Sequence, residues 1–270
     1  GINILDDLHD PNHGPLQAPR LDFAVQVRGP LVDDVRQAVA QVWQRVRAVH
    51  SLNPQALADA LLSMRVRADR RRSPASVASA RAVLLLRDNL THRSHIERAY
   101  LRAIGRAQRE VVIANAYFVP GRRLRLALER AARRGVRVTL LLQGRYEYFM
   151  QYYASRPVYD SLLRAGVAIH EYSPSFLHAK VAVIDGHWAT VGSSNLDPLS
   201  LLLAREANVV VEDPEFAARL RQRLLHAITQ HGQATDPVVY GQRPLRQRFL
   251  ERLALVVMRL ALLVQGKKYL

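Results

Sequence analysis

Residues 111–142 read VVIANAYFVPGRRLRLALERAARRGVRVTLLL. Val111–Phe118 is an apolar run that predicts a strand, and Pro120-Gly121 breaks it. Arg122–Arg134 has helical spacing and is closed by Gly135 at the C-cap position. Val136–Leu142 is a second apolar run, a buried strand that ends at Gln143-Gly144. Two strands joined through a helix run parallel, and strands apolar on both sides belong to a sheet covered on both faces.

The same alternation extends in both directions. Val83–Leu86 predicts a short strand, and His92–Gln108 a helix with Ile96, Tyr100 and Ile104 on one face. Downstream come a helix near 156–165 ending at Gly166, a strand Val167–Tyr172, and a hairpin. The hairpin pairs His178–Ile184 with Trp188–Val191 through the turn Asp185-Gly186. A strand Glu206–Val211 and a helix Glu215–His231 follow. The pattern predicts an α/β fold with a mostly parallel sheet.

Residues 1–20 read as loop. Asp22–Arg28 alternates like a strand, and Leu31–His50 is a helix with Val32, Val35, Val39, Val42 and Val46 at helical spacing. Residues 51–80 carry no strong pattern, and the basic stretch Arg65–Pro74 is read as a linker. There is one internal echo. Asp22–Pro30 (DFAVQVRGP) resembles Glu206–Pro214 (EANVVVEDP): an acid, a strand, a proline, then a helix.

The chain has 270 residues, 49 % apolar, so a sizeable core can form and wholesale disorder is excluded. Thirty-nine basic against twenty-three acidic residues give a formal charge of +16, which calls for an anionic partner: nucleic acid, a membrane surface or a phosphorylated substrate. The absence of Cys excludes disulfides, Cys-ligated zinc and thiol chemistry. No apolar run is long enough for a spanning helix. The chain begins at Gly1 without a signal-peptide pattern, and it is read as a fragment or processed form. Lysine occurs only at positions 180, 267 and 268, which makes Lys180 a residue to explain.

The segment that carries chemistry is His178–Glu206, HAKVAVIDGHWATVGSSNLDPLSLLLARE. Residues i and i+2 of a strand share a face, so His178 and Lys180 project side by side. The returning arm delivers Gly192-Ser193-Ser194-Asn195 beside them, and Glu206 stands within reach of the imidazole. An imidazole attacks phosphorus or protonates a leaving oxygen. An ammonium and an amide hold non-bridging oxygens, and a carboxylate behind the ring fixes its tautomer. Two other readings stand beside this one. A core hairpin with an incidental Lys180 conflicts with the rarity of unpaired interior lysine. A metal site would have a poor ligand set. His92 and His95, at i, i+3, are read as surface residues and not a metal pair.

His178-x-Lys180-x4-Asp185 followed by Gly192-Ser193-x-Asn195 resembles the HKD motif of the phospholipase D superfamily. Arg87-Asp88-Asn89, His92-Arg93, Ile113–Tyr117, Ala131–Gly135 and His187–Ser200 resemble bacterial cardiolipin synthases of the B type, over residues 1 to about 235. The resemblance implies a phospholipase D-like mixed sheet flanked by helices, one nearly complete catalytic half plus the trailing part of the other. It divides the chain into a first-half remnant and linker (1–80), an HKD domain (81–235) and a basic, apolar C-terminal segment (236–270).

Family enzymes carry two such motifs and need no metal or other cofactor. One histidine forms a phosphohistidine, and the other is general acid, then base. Here only the second motif is present, and Asp22 resembles the supporting acid of the first. The resemblance implies a site of His178, Lys180, Asp185 and Glu206, with Lys180, Ser193 and Asn195 on the phosphate. Glu206 is expected to orient His178. Asp185, at the strand's far end and on its opposite face, is expected to fix the hairpin.

The implied reaction transfers a phosphatidyl group between two phosphatidylglycerol molecules. The implied partners are anionic phospholipids and a membrane surface, at the cytoplasmic side of a bacterial inner membrane, with no nucleic acid. Two alternatives are a homodimeric single-motif phosphodiesterase or nuclease, and an inactive membrane-binding fragment. Tyr117 and Phe118 are expected either at the lipid site or in plain packing, and Tyr146–Tyr153 either at a lipid interface or packed as a helix start. Leu253–Val264, flanked by arginines and followed by Lys267-Lys268, spans roughly 18 Å as a helix, too short for a hydrocarbon core of about 30 Å. It reads as a helix lying along an interface or docked on the protein's own surface.

Overall fold

The computed structural model describes residues 2, 6, 8–10, 13–51, 81–88, 92–145 and 149–264. The linker read at Arg65–Pro74, and Tyr146, Lys267 and Lys268, lie outside the described residues. The chain forms two compact units, Gly1–Val25 with Leu85–Leu270, and Gln26–Leu84.

In the larger unit, β1 (His9–Asp10) and β2 (Gly14–Pro15) make a two-residue antiparallel ladder. The main sheet contains β3 (Arg81–Arg87), β4 (Glu110–Asn115), β5 (Arg137–Gln143), β6 (Ala168–Tyr172), β7 (Lys180–Ile184), β8 (Trp188–Gly192), β9 (Glu206–Glu212) and β10 (Gly232–Ala234). The strand order is β10-β6-β5-β4-β7-β8-β9-β3. Strands β4, β5 and β6 are parallel, joined through α3 (Arg122–Arg133) and α4 (Phe149–Arg164). Strands β7, β8 and β9 then run antiparallel, with β7 against β4. The sheet is therefore mixed, not mostly parallel. Helical crossovers keep direction, whereas the Asp185-Gly186 turn reverses it. The register Ile184↔Trp188 leaves a three-residue loop, Asp185–His187, whose first two residues have positive φ (52° and 69°) and turn the chain with the sheet's twist.

Alternation along the strands builds two apolar layers. Val111, Ile113, Val138 and Leu140 face α2 (His95–Arg106), α3 and α4, which contribute Ile96, Tyr100, Ile104, Leu124, Leu128 and Leu162. Val112, Ala114, Leu141, Val181 and Val183 face the other way, where α5 (Pro214–His231) supplies Leu220, Leu224 and Ile228. Asp213 caps α5 by accepting the Phe216 N–H at 2.6 Å, and Pro214 takes the first helical position.

Helix α4 starts at Phe149, seven residues before the expected 156. Pro157 lies inside the helix. Tyr152 belongs to that helix, and Arg156 stacks over its ring at 4.3 Å, so this tyrosine packs on the protein. After α6 (Pro237–Gly241), Arg243 ties the start of α7 (Leu245–Val264) to α4. Its guanidinium donates to Asp160 Oδ1 at 3.0 Å and to Glu251 Oε2 at 2.6 Å. Among the described residues no helix is long and apolar enough to cross a membrane.

Among the described residues, 22–28 form no ladder, and a parallel bridge pairs the preceding Leu21 with Leu177. In the smaller unit, α1 (Leu31–Ser51) follows the positive-φ Gly29, with Asp33 and Asp34 in its first turn favouring the helix dipole.

Candidate active site

Pairing of β7 against β4 places Lys180 opposite Asn115, at the edge where the parallel strands end. Ligands of open α/β sheets bind at that edge. The segment leading into β7 is clamped there by the N-terminal segment. Leu21 N–H donates to the Phe176 carbonyl at 3.0 Å, and His178 N–H donates to the Leu21 carbonyl at 2.9 Å. This pairing delivers the next side chain, Asp22, to the imidazole. His178 Nδ1 lies 2.6 Å from Asp22 Oδ2, with the two side chains 22 % and 10 % exposed. A carboxylate acceptor puts the ring proton on Nδ1 and leaves the ring's lone pair on Nε2. Lys180 is buried, and its Nζ donates to the backbone carbonyl of His178.

Glu206 does not take the expected place behind His178. Its Oε1 accepts from Ser200 Oγ at 2.8 Å, and its Oε2 accepts from Ser193 Oγ. The reason is the strand order. Glu206 begins β9, β8 lies between β9 and β7, and two strand spacings amount to about 10 Å. Sequence reasoning missed Asp22 as the partner of this histidine. The signal was there in the internal echo, which matches Asp22 with Glu206 and so marks both as acids of one type.

Ser193 is likewise engaged with β9 instead of facing a phosphate by itself. Its hydroxyl donates to Glu206 and accepts the Ala207 N–H at 3.0 Å. Asn195 turns its amide oxygen toward the Tyr117 N–H at 3.4 Å, which fixes the amide's orientation. The loop is zipped to the end of β4 by two more bonds. Leu196 N–H donates to Asn115 Oδ1 at 3.0 Å, and Val119 N–H donates to the Leu196 carbonyl at 3.0 Å. Asn115 is fully buried, and its Nδ2 has no hydrogen-bond partner among the described residues. Gly192 permits the close approach of β9: a Cβ there would meet Asn208 Oδ1 at 2.2 Å.

Asp185 is not part of the site. It lies five residues beyond Lys180, about 17 Å along the strand. Its carboxylate accepts the backbone N–H groups of Gln108, Arg109 and Glu110 at 2.9, 2.8 and 3.0 Å. Burial pushes this carboxyl up, but the three N–H donors and the Arg109 charge outweigh it and hold it below the usual range. It fastens the hairpin to the start of β4.

The remaining expectations divide. Phe118 is buried in the core and Tyr117 is half-buried, so only Tyr117 has surface at the site edge. His92 pairs with Asp88, Nδ1 to Oδ2 at 2.9 Å, and packs edge-on against His95 with ring centres 4.7 Å apart.

Comparison with known proteins follows the same lines. Residues 100–228 match the family model described as "Cardiolipin synthase, PLD-like domain". The chain is 41 % identical over 243 residues to a cardiolipin synthase B of Escherichia coli (strain K12), covering 90 % of this chain and 55 % of that protein. A cardiolipin synthase of Geobacillus thermodenitrificans is 37 % identical over 58 % of this chain and 31 % of its own length. A phosphatidylserine synthase structure from Haemophilus influenzae Rd KW20 superposes with a TM-score of 0.52 at 15 % identity, over 71 % of this chain and 48 % of that one. The chain thus spans about half the length of the cardiolipin synthases B it matches. Over residues 100–228 the chain is thus similar to the phospholipase D-like domain of cardiolipin synthases, and its mixed α/β fold is like that of the phosphatidylserine synthase.

Proposed function

We propose that this chain supplies one half of a phosphatidyltransferase site that joins two phosphatidylglycerol molecules into cardiolipin and glycerol. The observation that carries the proposal is the Asp22–His178 pair beside Lys180 at the open edge of the sheet. In the first step a histidine nitrogen forms a bond to phosphorus, the phosphorus–oxygen bond to glycerol breaks, and an acid protonates the departing glycerol oxygen. In the second, the hydroxyl of another phosphatidylglycerol loses its proton to the same group and displaces the histidine from phosphorus. His178 Nε2 takes part as nucleophile or as the proton-transferring group. Lys180 and the Asn195 amide hold non-bridging oxygens.

The internal echo supports a division of labour between halves. Asp22, from the first copy, serves the histidine of the second copy. By the same relation Glu206, from the second copy, serves a histidine of the first. Its two oxygens are held ready by Ser193 and Ser200. Phosphatidylglycerol and other anionic phospholipids are then the substrates. The chain works as a peripheral protein at a membrane surface, the cytoplasmic face of a bacterial inner membrane. On this reading residues 1–80 are the trailing part of the first half and its linker, and residues 236–270 face the membrane.

The test is cardiolipin and glycerol release from phosphatidylglycerol. The chain is assayed alone and together with a segment bearing a second His-x-Lys-x4-Asp motif, each beside a His178→Ala control. Equal amounts of the two products, abolished in the control, are expected. Products that persist without His178, or tight duplex DNA binding without lipid turnover, would overturn the proposal.

A further inference from the structure

Helix α7 leaves much of its apolar surface uncovered. Glu251 and Ala254 mark its inward side: Glu251 is 1 % exposed, accepting from Arg243 at 2.6 Å and from Gln247 Nε2 at 3.1 Å, and Ala254 is buried beside it. Its apolar side faces out. Leu245, Phe249, Leu253, Val256 and Leu260 are 80, 69, 45, 46 and 55 % exposed. Their spacing of three and four residues makes a single stripe, about 22 Å long at 1.5 Å per residue. A soluble surface seldom exposes such a contiguous patch without a partner for it.

The charge around the stripe selects the partner. Arg246 and Arg252 are exposed on the same helix. Residues 243–270 hold seven basic residues and one acidic residue, and that one is the inward-facing Glu251. A second copy of the helix set against the first would bring arginines against arginines. Anionic lipid headgroups neutralise them while the acyl region takes the apolar side chains. The opposite face is fastened to α4 through Arg243, so the helix lies flat instead of crossing.

We infer that the outward face of α7 is a membrane-docking surface, which seats the Leu245–Leu260 stripe in the interface of an anionic bilayer. The inference rests on the transferase reading only for the source of the lipid. It is tested by flotation of the chain with phosphatidylglycerol vesicles and with phosphatidylcholine vesicles. At least tenfold stronger partition onto the anionic vesicles is expected, weakening as salt is raised. Phe249→Ser with Leu253→Ser should lower that partition at least tenfold with unchanged thermal unfolding.

A second measurement serves if the double variant does not fold. The chain has no cysteine, so Val256→Cys accepts a single environment-sensitive fluorophore. Its emission should shift to the blue on anionic vesicles, and that of a label at Arg219→Cys on α5 should not. Equal partition onto both vesicles, or an unshifted label at 256, overturns the inference. So does concentration-dependent dimerisation that the serine pair abolishes while lipid binding is absent. Cardiolipin formation from detergent-dispersed phosphatidylglycerol needs no bilayer and reports separately on the transferase reading.

Discussion

Asp22 and His178, 156 residues apart in the chain, meet at 2.6 Å through Oδ2 and Nδ1. The contact is held by backbone as well as side chain, because Leu21 bonds to both Phe176 and His178. The acid that orients the histidine of the motif therefore comes from the first copy of the internal echo, not from the copy that holds the motif.

Replacement of Asp22 should act on the imidazole tautomer. In the wild-type chain the nitrogen resonances of His178 should show a proton on Nδ1. Asp22→Asn should lose that preference and lower His178-dependent turnover by about 10²–10⁴-fold. Glu206→Gln should leave the His178 resonances where they are, because its contacts are with Ser193 and Ser200. A tautomer shift in the Glu206 variant and none in the Asp22 variant would restore the assignment expected from sequence.

Lys180→Met keeps the aliphatic stem in its buried setting and removes the ammonium. Transfer should fall by about 10²–10³-fold, the usual loss when one charge-stabilising donor is removed. Inhibition by vanadate, a phosphorus mimic, should weaken in parallel. The far-ultraviolet circular dichroism should stay unchanged.

Asp185 should matter for stability and its pH dependence. Asp185→Asn weakens the acceptor for three backbone N–H groups and should lower unfolding free energy by about 1–3 kcal/mol at neutral pH. The sign with pH is fixed by the direction of its pKa. A carboxyl held below the ordinary 3.8 stabilises the fold above that value, and the contribution disappears as pH falls through the lower folded value. Acid unfolding of the wild type should therefore be steeper than that of the asparagine variant, whereas the His178 tautomer should be the same in both. Denaturant titrations between pH 2 and 7 measure the difference.

Gly192→Ala should be disruptive out of proportion to its size. The added methyl would lie 2.2 Å from Asn208 Oδ1 and 2.6 Å from the Ala207 carbonyl. Asn208 cannot step aside freely, since its Oδ1 accepts the Ser194 N–H at 3.3 Å and its Nδ2 donates to Thr190 at 3.2 Å. A loss of about 1–3 kcal/mol is expected from overpacking. Thermal unfolding reads the loss, and altered amide resonances of Ser193–Asn195 report the displaced loop.

Much of this was written in short-range pattern. Periods of two and of three to four residues located the strands and helices from Arg81 to His231, because burial of one face is a local property of a segment. The Asp185-Gly186 signal between two apolar runs marked the hairpin of β7 and β8, since a turn between paired strands is a local feature. Local pattern placed the start of α4 seven residues too late, and it read a strand in residues 22–28, which have no ladder partner among the described residues.

Strand order and the company kept by each acid belonged to the tertiary structure. Nothing in the spacing of Glu206 from His178 says that β8 separates them, and nothing local brings Asp22 across 156 residues to the imidazole. Which carboxylate reaches a histidine depends on how distant segments pair, and that pairing is settled by the collective packing of two apolar layers, which no single stretch of sequence contains.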